Sequence, residues 1–211
     1  MRKIMMVMVL AALAAPVASR AQVTLGLRAG YGIAMGDAVK DGKMTEVVKG
    51  QVPLQLDLGY RVTKEITVGG YFGYGFGVLG SAFKDQNCTG GVDCSSSVMR
   101  VGVQGSYTFA PVGQLAPWLG VGAGYEWGTL KAEAGGVSVK ETFRGIEFLN
   151  LQGGADYRLA PKVAVGPFVQ LSVGQYSRAS ITGPGIDQSG SIQDKGVHEW
   201  LQFGLRGTFD L

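Results

Sequence analysis

Apolar and polar residues alternate along both ends of the sequence. Odd positions are apolar through residues 23–35, from Val23 to Met35, while the even positions are mostly glycine, threonine and arginine. Residues 201–211 repeat this pattern, with leucine or phenylalanine at every odd position except Gly207. A period of two over such lengths indicates β-strands that have two chemically different faces. Strands of the same kind at both ends favour a sheet that closes on itself.

Six further segments alternate in the same way. In the sixth strand Ile146 and Phe148 are out of phase with Leu149 and Leu151, which predicts a β-bulge near Leu149. The eight predicted strands are residues 22–35, 52–62, 66–80, 98–109, 115–130, 145–159, 163–177 and 197–211.

The connections between these strands alternate in length. Three are short, at 63–65, 110–114 and 160–162, and suit tight hairpins. Four are long and polar, near 36–51, 81–97, 131–144 and 178–196. Short turns on one rim and long loops on the other are typical of transmembrane β-barrels, in which the long loops are extracellular.

Aromatic residues on the apolar face fall into two groups, one toward each rim. Two aromatic girdles that flank an aliphatic band anchor a barrel at the two membrane interfaces. The group near the short turns is Tyr60, Tyr107, Tyr157 and Phe209, and the group near the long loops is Tyr31, Tyr74, Phe76, Tyr125 and Trp127.

The opposite face of the strands is rich in glycine, and its strand positions hold no lysine. Small residues suit the narrow lumen of an eight-stranded barrel, which side chains fill, so an open pore is not expected. The sequence therefore predicts an all-β fold, an eight-stranded antiparallel up-and-down transmembrane β-barrel with its apolar face toward lipid. A secreted soluble lipocalin-like barrel, with an apolar ligand inside, is the alternative, because it would turn the same face inward.

Charges of both signs lie on the luminal face at similar heights. Buried charges must pair to offset their desolvation, so we predict a luminal ion-pair network. Its members are Asp57, Arg61, Asp156, Arg158, Arg206 and Asp210 toward the short turns, and Arg100 and Glu126 toward the long loops.

The first 21 residues have a basic start, a short apolar run and small residues before Ala21, which is the pattern of a secretory signal peptide. We expect residues 22–211 to form one outer-membrane barrel domain. Removal of residues 1–21 takes away three basic residues and leaves 16 basic and 16 acidic residues. A balanced charge gives no indication of a nucleic-acid partner.

Residues 117–125, 167–169 and 203–211 carry glycine-aromatic patterns. In these segments the chain resembles the OmpA/OmpX-like group of small outer-membrane β-barrel proteins. The resemblance implies the outer membrane of a Gram-negative bacterium, membrane lipid and the barrel assembly machinery as partners, and a monomer with no cofactor. It also implies a structural or surface-recognition role through the extracellular loops, toward an unidentified ligand. The final strand ends in Leu211, where members of that group normally end in Phe or Trp.

Few residues suggest chemistry beyond this. Cys88 and Cys94 lie in one predicted loop of an exported chain, so we expect a disulfide between them. We expect no metal site, because Asp187 and Asp194 are too few ligands for calcium.

Some barrels that resemble this chain modify lipid A, and such enzymes need a base and an activated nucleophile, usually a histidine with a serine. His198 is the single histidine in the sequence, and Ser172 lies on the same face of the neighbouring strand. A lipid-modifying outer-membrane enzyme is therefore the second alternative, although we expect a protein that is not an enzyme and has no catalytic residues.

Overall fold

A computed structural model describes residues 22–40 and 42–211, and the export signal expected over residues 1–21 lies outside these ranges. The described residues form long β-strands and two short helices. The strands are β1 (Gln22–Val39), β2 (Gly42–Lys43), β3 (Val48–Arg61), β4 (Ile66–Leu79), β5 (Asp93–Thr108), β6 (Leu115–Ala134), β7 (Val137–Ala160), β8 (Val163–Gly183), β9 (Ile186–Ser191) and β10 (His198–Asp210), and the helices are α1 (Met44–Val47) and α2 (Ser81–Asn87).

Eight of these strands form a closed ring in the order β1, β3, β4, β5, β6, β7, β8, β10. Every neighbouring pair is antiparallel, and β10 closes the ring onto β1 in a continuous register from Thr24 opposite Asp210 to Gly36 opposite His198. The predicted eight-stranded antiparallel barrel is confirmed.

The irregularity predicted in the sixth strand is also present. On β7 the register shifts between Glu147 and Leu149, because β7 carries one residue more than β8 at this point. The extra residue lets both Phe148 and Leu151 point outward while Glu147 and Asn150 point into the lumen.

The apolar face of the barrel lies on the outside. Leu56 in β3 is 49% exposed and Val103 in β5 is 68% exposed, so these side chains are available to lipid. The lipocalin-like arrangement, with the apolar face inward, is therefore wrong. Large aromatic side chains occupy the lumen opposite the glycines, and they are Tyr71, Trp118, Phe168, Tyr176 and Trp200.

Glycine is required where β1 and β10 meet. A Cβ atom on Gly204 would lie 2.1 Å from the backbone oxygen of Ala29, whereas a Cβ on Gly73 would lie 3.8 Å from its nearest neighbours. We expect Gly204→Ala to lower the free energy of unfolding by about 1–3 kcal/mol, since the seam has no room to relax. Urea titration in phospholipid vesicles measures the change. Gly73→Ala is the control, and equal losses in both variants would contradict the prediction.

Two of the four long connections were wrongly predicted as loops. Strands β6 and β7 continue through 131–144 and meet at a two-residue turn, Gly135-Gly136, while β8 continues to Gly183 and turns back as β9. Both glycines have positive φ, 57° and 81°, as a tight type I′ hairpin requires. We call the parts of these two hairpins beyond Trp127 and Tyr176 the extracellular extension, because the short turns mark the periplasmic rim.

The other two long connections contain the helices. Helix α1 contacts β1, β3 and α2, so both helices lie over the extracellular end of the barrel. Neither of the helices among residues 22–40 and 42–211 has the length and apolar character needed to cross a membrane.

Candidate functional site

The half of the lumen nearer the periplasm contains a polar network around Arg28. The Nε atom of Arg28 donates to Oδ2 of Asp57 at 2.6 Å, and Nε2 of Gln104 donates to the other oxygen of Asp57 at 3.0 Å. The guanidinium also donates to Oε1 of Gln152 and lies 5.4 Å from the ring of Trp118. Arg28 and Asp57 are both buried, so each charge is compensated within the lumen.

Two further ion pairs lie between this network and the periplasmic rim. Arg61 binds Asp210 through two hydrogen bonds of 2.8 and 3.1 Å. Nη2 of Arg206 lies 3.0 Å from Oδ2 of Asp156. Arg158 donates to the backbone oxygen of Pro111, in the turn between β5 and β6. Each of these ion pairs thus joins residues of two different strands. Asp57 does not pair with Arg61, and Asp156 does not pair with Arg158.

A second network fills the lumen toward the extracellular side. Arg100 and Glu126 face each other across β5 and β6, with Nε 2.7 Å from Oε2. The other oxygen of Glu126 accepts from the hydroxyl of Tyr176 and lies 3.1 Å from Nε2 of His198. Close by, the hydroxyl of Tyr71 donates to Glu147 at 2.6 Å.

His198 belongs to this second network. Its ring stacks on Tyr176 with centroids 4.1 Å apart, and 1% of the residue is exposed. The register of β10 on β8 places His198 opposite Gly174 and Ser172 opposite Trp200. Ser172 instead accepts a hydrogen bond of 3.4 Å from Gln170, so the structure does not bring Ser172 and His198 together.

Arg28 and Glu147 are members of the networks that the sequence reasoning missed. Arg28 stands on the luminal face of β1, two residues from Gly26, which lies opposite Asp57, and this position was the available signal. Glu147 was hidden by the bulge, which changes the phase of β7 at that point.

The disulfide expected between Cys88 and Cys94 is present. It joins the end of α2 to the start of β5, and both cysteines pack against an apolar cluster at the extracellular end of the lumen. The disulfide therefore fixes α2 over the mouth of the barrel.

Above Tyr176 the lumen changes from polar to apolar. A cavity of about 190 Å³, which we call the chamber, opens between the barrel wall and the two helices. Its lining is almost entirely apolar, with Glu141 as the one charged side chain. The apolar side chains that line it are Met44, Val47, Val48, Phe83, Val98, Leu130 and Phe143.

Among residues 22–40 and 42–211, no group of three or more His, Cys, Asp or Glu side chains is placed to hold a metal ion. The features that dominate the interior are thus the two polar networks and the chamber. A closed antiparallel barrel of eight strands, apolar outside and polar inside, defines the class of small outer-membrane β-barrel proteins.

Residues 5–196 match the family described as outer membrane protein beta-barrel domain, and the chain belongs to this family. The protein is therefore located in the bacterial outer membrane. No curated protein matches the chain.

Solved structures with the same fold cover nearly all of the chain. A major outer membrane protein from Thermus thermophilus is similar with a TM-score of 0.59 and 14% identity, over 92% of this chain and 100% of that one. Ail, the attachment invasion locus protein of Yersinia pestis, is similar with a TM-score of 0.53 and 11% identity, over 92% of this chain and 100% of that one. Neisserial surface protein A is similar with a TM-score of 0.52 and 14% identity, again over 92% of this chain and 100% of that one. At these identities the similarity establishes the fold alone.

Proposed function

We propose that the protein is a non-enzymatic outer-membrane protein that acts at the cell surface through its extracellular extension and helices, and that its lumen is not a pore. It works as a monomer, surrounded by membrane lipid and inserted by the barrel assembly machinery. Two proteins of similar fold have names that point to the surface, Neisserial surface protein A and the attachment invasion locus protein.

The two polar networks are the observation that supports a closed lumen. Arg28 in one and Arg100 in the other are each held by a buried carboxylate, at 2.6 and 2.7 Å. The cavities beside Arg100 and Arg28 have volumes of about 10 and 40 Å³, which is room for a few water molecules at most. Side chains tied in this way obstruct the passage of hydrated solutes, as expected for an eight-stranded barrel.

Conductance across planar lipid bilayers tests the closed lumen. We expect no steady conductance from the wild-type protein, and an increase when Arg28 and Trp118 are both replaced by alanine, which removes the centre of the network nearer the periplasm. Leu119→Ala, on the outward face beside Trp118, is the matched control and leaves the bilayer sealed. Steady wild-type conductance of a size typical of porins would overturn this part of the proposal.

The non-enzymatic role is supported by the place of His198, which is buried against Tyr176 and Glu126 and lacks a serine partner among the described residues. Mass spectrometry of lipid A from cells with and without the protein tests it. We expect the acyl chains to be unchanged. A change that His198→Ala abolishes would make the protein a lipid-modifying enzyme.

A further inference from the structure

The chamber is an unusual feature for the interior of a small protein. Protein cores are close-packed, and empty spaces larger than a water molecule are few. An apolar cavity of about 150 Å³ stays dry and is large enough to bind benzene. The chamber, at about 190 Å³, exceeds that volume, so an apolar group fits it better than water does.

The chamber has a closed floor and an apolar approach from outside. Tyr176 forms the floor, and its hydroxyl is held by Glu126. Above the chamber, the inner face of the extracellular extension continues with Val139, Ile181 and Ile186, all exposed. We call these three residues the apolar track. Access is therefore from the extracellular side, along the track.

The register of the strands shows that the track and the chamber share one face. Glu141 stands opposite Leu130 on one side and opposite Ile181 on the other. Directly opposed residues in a sheet point to the same face, so Leu130 of the chamber, Glu141 and Ile181 of the track form one row on the inner face. An elongated apolar group fits this shape better than a compact ring does.

The charge at the rim restricts the ligand further. Glu141 lies between the chamber and the track, and it is the one charged side chain in the lining of the chamber. This carboxylate points to the same face as the track, so it would repel a negative head group at the outer end of the track, whereas a head group without negative charge would not be repelled.

We propose that the chamber binds the alkyl chain of an amphiphile whose head group carries no negative charge. The terminal carbons occupy the chamber, the rest of the chain lies on the apolar track, and the head group stays at the surface. This inference rests on the proposed function, since it names a class of ligand for the surface site.

Binding of radiolabelled decan-1-ol to proteoliposomes, with empty liposomes of equal lipid content subtracted, tests this proposal. We expect saturable binding of about one molecule per protein, because the chamber and track form one site. Val47→Trp, which fills the chamber from α1, should weaken this binding at least tenfold. Thr45→Trp places the same side chain on the exposed side of α1 and should leave it unchanged.

Both variants alter a helix outside the barrel wall, and a gel-mobility shift on boiling in SDS checks that each barrel has assembled.

Decanoate should bind at least tenfold more weakly than decan-1-ol, and Glu141→Gln should reduce this difference in affinity between the two ligands. Absence of saturable decan-1-ol binding, or equal binding by Val47→Trp, would overturn the proposal. Equal affinity for decanoate would overturn its head-group part. Bilayer conductance is a separate readout, so a failure of the closed lumen would be distinguished from a failure of the chamber.

Discussion

Glu126→Ala is expected to lower the free energy of unfolding by about 3–5 kcal/mol, because it leaves Arg100 as an unpaired charge in the lumen. The side chains of Arg100 and Glu126 are 5% and 3% exposed, so water offers little compensation. The variant also removes the acceptor of Tyr176 and the neighbour of His198. Urea titration in phospholipid vesicles gives the free energy, and the mobility shift in SDS should be lost at a lower temperature.

Two further variants separate charge burial from general damage. Arg100→Met combined with Glu126→Gln removes both charges of the pair and keeps an acceptor for Tyr176, so part of the lost stability should return, while Glu147 keeps its hydrogen bond from Tyr71. Asp210→Ala breaks the half-open pair with Arg61 and should cost less than about 1 kcal/mol. If Glu126→Ala is as stable as the wild type, the extracellular end of the lumen is wetter than the structure indicates.

Leu56→Arg is expected to cost about 2–4 kcal/mol, because it places a charge on the lipid-facing side near the middle of the membrane. Leu56 stands between Leu27 and Phe72 on the neighbouring strands, within the outward apolar band. The same urea titration measures the loss.

Val62→Arg provides the matched control for Leu56→Arg. Val62 is similarly exposed on the same face but lies at the periplasmic rim, where an arginine should cost only about 0–1 kcal/mol. Equal costs at the two positions would mean that Leu56 does not face the hydrocarbon region. An unchanged free energy in both variants would contradict the outward apolar face.

The alternation of residues was sufficient to predict the eight strands, the outward face and the bulge near Leu149. It failed beyond the membrane, where the solvent on the outer face changes from lipid to water. On β6 the apolar residues are outward up to Trp127 and inward from Leu130, so the pattern changes phase within one strand. This change made residues 131–144 look like a polar loop although they form a hairpin.

The interior was less predictable than the wall. Odd and even positions along the strands were sufficient to place the eight predicted charges on the luminal face. They did not show which charges pair, because pairing depends on the tilt of the strands and the reach of the side chains. Arg206 on β10 thus reaches Asp156 on β7 across the intervening strand β8. The chamber had no local signal, since two helices and six strands each contribute only one to three of its residues.

The Gly135-Gly136 turn has a practical consequence for work on intact cells. A Cβ atom added at either glycine would meet nothing within 4 Å, and the flanking strands are paired up to Ala134 and Val137. Loop tips of this kind tolerate inserted sequence. An antibody epitope inserted between the two glycines would therefore be exposed to the medium. This hairpin is thus a suitable site for displaying foreign peptides on living bacteria.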